Sequence, residues 1–222
     1  MKDYAAHEVK NICLLGHSGS GKTAVVEAML HLTKVTDRMG KTIDGTSVLD
    51  YDAEEIKRGQ SVFTSLAPIE WKDHKINFVD TPGYFDYAQE MEAGLAVSDN
   101  ALIVVDGKDG VQTGTLRAFK QVTKRKLPTI FFINKLDEEN SSFEKVYNQL
   151  RDTFGKTVIP FELPIYENGQ IVGSVNVLRN KAWYLNDREN AKEVPAELNA
   201  QVAEYRDQIS EAVAMTCDDL ME

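Results

Sequence analysis

Eight residues near the N-terminus have the types and spacing of a loop that wraps polyphosphate: Gly16-His17-Ser18-Gly19-Ser20-Gly21-Lys22-Thr23. They fit the pattern Gly-x-x-x-x-Gly-Lys-[Ser/Thr], in which glycines let the backbone approach phosphate and successive N–H groups turn inward. Lys22 would bridge the β- and γ-phosphates, and the Thr23 hydroxyl would hold Mg²⁺. A glycine-rich turn with an exposed lysine is the alternative that this segment alone leaves open.

A second group of candidate residues, Asp80-Thr81-Pro82-Gly83, comes directly after an apolar run that ends at Val79. The carboxylate of Asp80 could hold Mg²⁺ through a water molecule, and the Gly83 N–H could reach the γ-phosphate. The same tetrapeptide pattern is common in ordinary turns. This segment therefore indicates a nucleotide site only in combination with the groups before and after it in the sequence.

A third group, Asn134-Lys135-Leu136-Asp137, follows a predicted strand, Thr129–Ile133. Asp137 could accept two hydrogen bonds from the N1–H and the exocyclic amine of guanine, a donor pair that adenine lacks. A site of this kind discriminates between bases by on the order of 10⁴-fold. Lys135 would lie along the base, and Asn134 would tie the loops together. With the two earlier groups in order, this pattern predicts a guanine nucleotide.

The elements that must position these groups are short apolar strands, each followed by a helical pattern. Buried strands are predicted at Asn11–Leu15, Ala101–Val105 and Thr129–Ile133. An antiparallel hairpin of Val62–Trp71 and Lys75–Val79 is predicted at the sheet edge. Strand and helix alternate from residue 11 to about 156, which predicts a doubly wound, mostly parallel α/β sheet of the P-loop NTPase type. Ligands bind such sheets at the carboxyl ends of the strands, where all three groups lie.

Two stretches depart from this alternation. Lys34–Ser61 is polar with little periodicity, and a loop of that length is usually functional or mobile. Past Gly155, the segments Val158–Tyr166 and Gln170–Val177 predict a hairpin, and an apolar stripe from Leu198 to Val213 predicts a helix. The second stretch is interpreted as a separate α+β subdomain.

Composition excludes several classes of function. The chain has 222 residues, of which 42% are hydrophobic and 27% charged, so it has room for one large domain, alone or with an insertion. The net charge of −10 argues against a general nucleic-acid surface. No apolar run is long enough to span a membrane, the N-terminus lacks the apolar core of a signal peptide, and two cysteines, Cys13 and Cys217, make no disulfide framework. These features predict a cytoplasmic protein. None of its four histidines has the spacing of a zinc ligand.

The three groups, their spacing and the sequence between them resemble the GTPase domain of elongation factor G and its close paralogues among the translational GTPases. Leu49–Gly59 resembles the first switch of that family, and Val158–Ile165 with the helix Glu197–Met215 resembles its inserted subdomain. The resemblance implies a GTP-binding G domain over residues 1–156, lacking its last strand and helix, and part of the inserted subdomain over residues 157–222. An N-terminal fragment is therefore expected, because the family's Ser-Ala guanine loop has no match in the sequence.

The same resemblance implies an enzyme that hydrolyses GTP to GDP and phosphate with Mg²⁺ as cofactor and the ribosome as partner, most simply in translocation. Lys22 and, at the position that orients the attacking water, Tyr84 become the candidate catalytic residues. Thr23, Ser61 and Asp80, the last through water, become the candidate Mg²⁺ ligands. The acidic helix 197–215 would contact a basic component of the ribosomal stalk, with a merely solvated helix face as the simpler alternative.

Three positions depart from the family pattern. Tyr84 stands where histidine is usual, Gly19 where aspartate is frequent, and Ser61 where threonine is usual. A phenol orients water by hydrogen bonding but does not become a cation as imidazole does. The departures predict weakened hydrolysis and a specialised paralogue, unless they are neutral drift. The alternatives are a nucleotide-gated ribosome-binding module with little hydrolysis and a factor of the ribosome-protection or release type.

Overall fold

The computed structural model describes residues 2–215, whose elements fall into two compact units. The first unit is Met1–Lys135. Its strands are β1 (Val9–Gly16), β2 (Ser65–Trp71), β3 (His74–Asp80), β4 (Asn100–Asp106) and β5 (Thr129–Asn134). Its α-helices are α1 (Lys22–Leu32), α2 (Ala53–Arg58), α3 (Ala88–Ala96) and α4 (Thr113–Arg125).

The sheet of the first unit has the strand order β2-β3-β1-β4-β5. Strand β1 runs parallel to β3 on one side and to β4 on the other, and β5 runs parallel to β4. Only β2, paired with β3 at the edge, is antiparallel within this sheet. The predicted α/β class with a mostly parallel sheet and an antiparallel edge hairpin is confirmed. This arrangement brings the ends of β1, β3, β4 and β5 to one edge of the sheet.

The central strands are apolar at successive positions because both of their faces are covered. Leu14 and Val104 pack in one core cluster with Val26 and Leu30 of α1. The neighbouring residue Cys13 points to the opposite face, against α3, and is fully buried. Burial raises the pKa of the Cys13 thiol to about 12, so this cysteine behaves as a small apolar side chain.

The polar stretch 34–61 has more order than its composition suggests. It contains α2, whose first turn is capped by Asp52, with Glu55 completing a capping box. The carboxylate of Glu55 is 1% exposed and also accepts hydrogen bonds from the N–H groups of Val62 and Phe63, each at 3.0 Å. Periodicity could not reveal this, because the stretch is organised around buried carboxylates and not around an apolar face.

The second unit is Leu136–Glu222. It contains α5 (Phe143–Phe154), the strands β6 (Glu162–Glu167), β7 (Gln170–Asn176), β8 (Lys181–Tyr184) and β9 (Asp187–Lys192), and α6 (Asn199–Ala214). The four strands form an antiparallel meander, and the predicted β6–β7 hairpin is confirmed. Strands β8 and β9 were not predicted, because β8 has only four residues and β9 is polar and almost entirely exposed. The antiparallel sheet fits an inserted α+β subdomain.

The division between the units lies at 135/136, whereas the sequence predicted a boundary at 156. Helix α5 is part of the second unit. Within that unit, the Tyr147 ring of α5 packs edge to face on the Tyr205 ring of α6, with 5.7 Å between the ring centroids. The assignment of 1–156 and 157–222 to two family domains stays a prediction. Cys217 lies outside the described residues. Between residues 2 and 215, no helix is long and apolar enough to cross a membrane.

Candidate functional site

The predicted phosphate loop connects the end of β1 to the start of α1 and is shaped by close backbone approaches. A Cβ at Gly16 would lie 2.3 Å from the Val104 carbonyl oxygen, and a Cβ at Gly21 would lie 2.3 Å from Asn134 Nδ2. Both residues also have positive φ, 145° and 91°. Gly21 directly precedes α1, so the free N–H groups of that helix begin at the loop. The loop geometry therefore requires glycine at both ends.

The Lys22 ammonium is held inside its own loop. The residue is 6% exposed, and its Nζ donates to the carbonyl oxygens of Gly16 at 3.4 Å and His17 at 3.2 Å. Burial lowers the pKa of Lys22, while Asp80 and Asp50 act in the opposite direction. The loop thus encloses the Lys22 amine, and a lysine at this position of the pattern Gly-x-x-x-x-Gly-Lys-[Ser/Thr] is the one expected to reach a polyphosphate.

The second predicted group, 80–83, lies directly against the phosphate loop. A Cβ at Gly83 would lie 2.5 Å from Lys22 Nζ and 2.8 Å from the Ser18 backbone nitrogen. The Thr81 hydroxyl donates to the Leu14 carbonyl at 2.6 Å and so fastens the group to β1. Pro82 and Thr81 are buried beside it. The structure therefore brings the first two groups together.

The three predicted Mg²⁺ ligands converge on one point. The Thr23 hydroxyl donates to Asp80 Oδ2 at 2.6 Å and lies 3.1 Å from Ser61 Oγ. Asp80 is 2% exposed, and its Oδ1 has no hydrogen-bond partner within the described residues. Two hydroxyls and an unsatisfied buried carboxylate oxygen form the hard oxygen set that Mg²⁺ prefers. The residues present therefore fit this metal.

The electrostatics of Asp80 agree with that fit. Burial raises its pKa to about 6, although the Thr23 hydrogen bond and the Lys22 charge lower it. The carboxylates of Asp50 and Glu55 raise it further. Asp50 is itself buried, with Oδ2 unpartnered within the described residues. The excess of buried negative charge at this point would be relieved by a bound cation.

The third predicted group begins at the end of β5 and reaches the phosphate loop through Asn134. Its Nδ2 donates to the Ser20 carbonyl at 2.9 Å. Lys135, with a positive φ of 59°, places its Nζ 3.0 Å from Asp106 Oδ2 at the end of β4. Sequence reasoning missed Asp106, although an aspartate that ends a buried parallel strand is the available signal.

Leu136 and Asp137 form a turn that begins the second compact unit, and Asp137 is exposed. Its proposed role in reading guanine stays a prediction.

With this geometry in place, comparison with known proteins identifies the family. The family model described as the elongation factor Tu GTP binding domain matches residues 7–217. The chain belongs to this family of translational GTPases. A crystal structure from Thermus thermophilus is similar to this GTPase domain, with 34% sequence identity and a TM-score of 0.89. The match covers 96% of this chain and 32% of the Thermus chain, so the GTPase domain spans about a third of that protein's length.

Tyr84 of the GTPase domain is 43% exposed and follows Gly83 in extended backbone. It lines a shallow cleft between the segment 81–85 and α4. Beside it, the Phe85 ring lies 4.8 Å from the Arg117 guanidinium of α4. The Tyr84 side chain is accessible to water, but its part in hydrolysis stays a prediction.

Further contacts in the GTPase domain were missed because they join segments far apart in sequence. His17 Nδ1 accepts from the Gly114 N–H at 3.3 Å, so the His17 side chain joins the phosphate loop to α4, while its backbone carbonyl accepts from Lys22. The Glu90 carboxylate of α3 accepts from the Thr64 N–H at 2.8 Å, and Arg58 of α2 donates to the Tyr87 hydroxyl at 3.3 Å. The segment that carries Ser61 is thus tied to the segment that follows Gly83.

Proposed function

We propose that this chain binds GTP and GDP with Mg²⁺ and hydrolyses GTP to GDP and phosphate, as the GTPase domain of a ribosome-associated translation factor of the elongation factor G type. The observation that carries the proposal is the convergence of Thr23, Ser61 and Asp80 beside the buried Lys22. The family supports the guanine nucleotide, and the oxygen donors support Mg²⁺.

Each group has a definite task in this proposal. The N–H groups of 16–23 and the Lys22 ammonium bind the β- and γ-phosphates, and the Gly83 N–H contacts the γ-phosphate. Thr23 and Ser61 hold Mg²⁺ directly, while Asp80 holds it through water. When bound, the metal would neutralise charge on the phosphate oxygens. Asn134, Lys135, Leu136 and Asp137 bind the base, with Asp137 as the guanine acceptor.

The assignment to the elongation factor G type rests on the second unit. Its four-stranded antiparallel sheet and α6 contain the segments that resemble the inserted subdomain of that type. On α6, Glu204, Asp207 and Glu211 are exposed, which suits contact with a basic stalk component. Action on the ribosome in the cytoplasm, and translocation in particular, follow from this assignment.

A second candidate is a nucleotide-gated ribosome-binding module with little hydrolysis, or a factor of the ribosome-protection or release type. Tyr84 favours it, because imidazole is absent from the position that orients water. Binding would then act as the switch, and nucleotide release would reset it.

Calorimetry with GDP, GTP and ADP in the presence of Mg²⁺ tests the nucleotide assignment. We expect guanine nucleotides to bind roughly a thousandfold more tightly than ADP, because adenine lacks the donor pair that Asp137 would accept. Asp137→Asn should remove most of that preference, and Glu139→Gln, an exposed neighbour in the same turn, is the matched control. Equal affinity for ADP and GDP would overturn the guanine assignment.

A further inference from the structure

Glu27 is a buried carboxylate to which the proposed nucleotide chemistry assigns no task. It lies on α1, one helical turn after Thr23, and is 1% exposed. Three neutral donors surround it: the Gly40 N–H at 3.0 Å, the Ser47 hydroxyl at 2.6 Å and the Val48 N–H at 2.7 Å. A buried carboxylate is tolerated only when such donors replace its water. These three contacts therefore account for the presence of the charge.

The contact with Gly40 is too close for any other residue. A Cβ at Gly40 would lie 2.8 Å from Glu27 Oε2 and 2.6 Å from the Thr46 carbonyl oxygen. Glycine is needed here for space and not for a positive φ. The backbone of residues 40–48 is thus fitted closely around the Glu27 carboxylate.

From Ser47 the hydrogen bonds continue into the segment that precedes α2. While donating to Glu27, Ser47 Oγ accepts from the N–H groups of Leu49 at 3.1 Å and Asp50 at 3.3 Å. The Leu49 carbonyl in turn accepts from the Ser65 hydroxyl at the start of β2, at 2.6 Å. The chain between Leu49 and Ser65 is therefore anchored at both of its ends.

That chain carries Ser61 to the predicted Mg²⁺ ligands. Glu55 fixes the turn that follows α2 by accepting from Val62 and Phe63, and Ser61 Oγ then lies 3.1 Å from Thr23 Oγ1. Thr23 and Glu27 are four residues apart and so lie on one side of α1. One face of α1 thus binds residues 40–48 through Glu27 and Ser61 through Thr23.

We propose that Glu27 is a positioning residue for the nucleotide site: it fastens residues 40–48 to the phosphate-loop helix, so that the following chain delivers the Ser61 hydroxyl to Thr23. The inference rests on the proposed function, because it concerns the Mg²⁺-dependent part of nucleotide binding. Removing the carboxylate should release the segment while leaving the sheet, the phosphate loop and the base contacts in place.

The test uses the whole 222-residue chain and three variants. Glu27→Gln keeps the shape and removes the charge, and Ser47→Ala removes one donor only. Glu54→Gln is the control, since the side chain of this α2 glutamate is half-buried and pairs with Arg58 near the surface. Hydrogen exchange without nucleotide measures the hold on residues 40–50. Binding of a fluorescent, non-hydrolysable GTP analogue in Mg²⁺ and in EDTA measures positioning.

For Glu27→Gln we expect exchange at least about tenfold faster within 40–50 and unchanged in β1 and β4, because hydrogen bonds to a charged acceptor are lost. The gain in affinity that Mg²⁺ confers should fall about tenfold, with affinity in EDTA unchanged. Ser47→Ala should show the same pattern at about threefold, and Glu54→Gln should match the wild type.

The remaining outcomes contradict the inference in distinguishable ways. Faster exchange throughout the sheet would show a role in general stability and overturn positioning. Faster exchange confined to 40–50, with the Mg²⁺ effect intact in a chain that binds the analogue, would also overturn positioning while the proposed function stands. A wild-type chain that binds no guanine nucleotide in either buffer would overturn the proposed function and this inference with it.

Discussion

Lys135 Nζ lies 3.0 Å from Asp106 Oδ2, so the lysine of the predicted guanine-binding group is held by a carboxylate from the neighbouring strand. Asp106 is 6% exposed, and its Oδ1 accepts from the N–H groups of Lys108 and Asp109. Burial by itself would raise the pKa of Asp106, but these N–H groups and Lys135 outweigh it and hold the pKa below the ordinary value. The carboxylate is therefore ionised at neutral pH and fixed in place before any base arrives.

Asp106→Asn should weaken GDP binding by about tenfold, because Lys135 loses a charged partner that directs it along the base. The effect stays moderate because the Lys135 side chain is partly exposed, which screens the pair. Titration calorimetry measures the change, and Asp109→Asn, at an exposed position in the same turn, is the control. Unchanged affinity in Asp106→Asn would show that the pair has no part in nucleotide binding.

Asp80→Asn should stabilise the nucleotide-free chain while weakening its Mg²⁺-dependent binding of nucleotide. Burial raises the pKa of Asp80 to about 6, above the unfolded value near 3.8. Between these values the folded chain binds more protons than the unfolded chain, so the contribution of this group to stability falls as the pH rises. At pH 7.5 the ionised group costs roughly 2–3 kcal/mol, since one pKa unit corresponds to about 1.4 kcal/mol.

The measurement for Asp80 is thermal unfolding in EDTA across pH. Asp80→Asn should unfold several degrees above the wild type at pH 7.5, and the gap should close as the pH falls through 6 towards 4. Asp86→Asn, an exposed position nearby, should stay within about 0.5 kcal/mol of the wild type. A gap that does not depend on pH would refute the idea that the ionised Asp80 is strained in the empty site.

Gly16 and Gly19 separate steric from conformational demands in the phosphate loop. Both have positive φ, but a Cβ at Gly16 meets the Val104 carbonyl oxygen at 2.3 Å, whereas a Cβ at Gly19 meets nothing within 4 Å. Gly19→Ala should cost about 1 kcal/mol of unfolding free energy, the ordinary penalty for positive φ. Gly16→Ala should cost roughly 3 kcal/mol or more, because β4 must shift. Urea denaturation measures both, and equal losses would mean that the loop moves freely away from β4.

Much of the fold could be predicted from local patterns, because the pattern and the fold follow from the same burial. Continuous apolar runs predicted β1, β4 and β5, and two strand-like segments with a short gap between them predicted the β6–β7 hairpin. In the structure, Asn168 and Gly169 in that gap have positive φ. The three binding groups could be found because each combines a fixed spacing with a strand end. Strand β9 could not be found, because a polar exposed strand has no periodicity that separates it from a loop.

The polar network of the site was out of reach for a different reason. Glu27, Glu55 and Asp106 look like ordinary surface charges in the sequence, yet each is buried and accepts backbone hydrogen bonds from residues that approach only in the folded chain. Their roles depend on contacts between segments, and no local pattern records such contacts. The prediction that Ser61 is a Mg²⁺ ligand came instead from a family resemblance and from the hydroxyl that Mg²⁺ requires, and the structure places this hydroxyl 3.1 Å from Thr23 Oγ1.

The acidic face of α6 predicts a salt-dependent partner. Glu204, Asp207 and Glu211 are exposed, whereas Val202 and Tyr205 on the same helix are buried. Neutralising the three acids together should weaken binding to a basic ribosomal stalk component by about tenfold at low salt and less at high salt, since exposed charges are screened. Binding is measured by surface plasmon resonance at several salt concentrations.

The control for α6 neutralises three exposed acids elsewhere in the second unit: Glu139, Glu144 and Asp152. It removes the same charge and leaves α6 intact. If both triple variants lose affinity equally, the attraction is general to this acidic chain and α6 is not the docking element.

Tyr84→His should raise ribosome-stimulated GTP hydrolysis while leaving nucleotide affinity unchanged. Tyr84 is 43% exposed and next to Gly83, which lies against Lys22, so its side chain can reach water beside the γ-phosphate position that we propose, away from the proposed base contacts. Imidazole can orient that water, as a phenol can, and it can also carry positive charge, which a phenol does not do. We expect a rise of about ten- to a hundredfold in single-turnover hydrolysis, within the range of a positioned acid or base. Tyr84→Phe supplies the control: if its rate equals that of the wild type and histidine gives no gain, Tyr84 neither assists nor limits hydrolysis, and the module with little hydrolysis loses its basis.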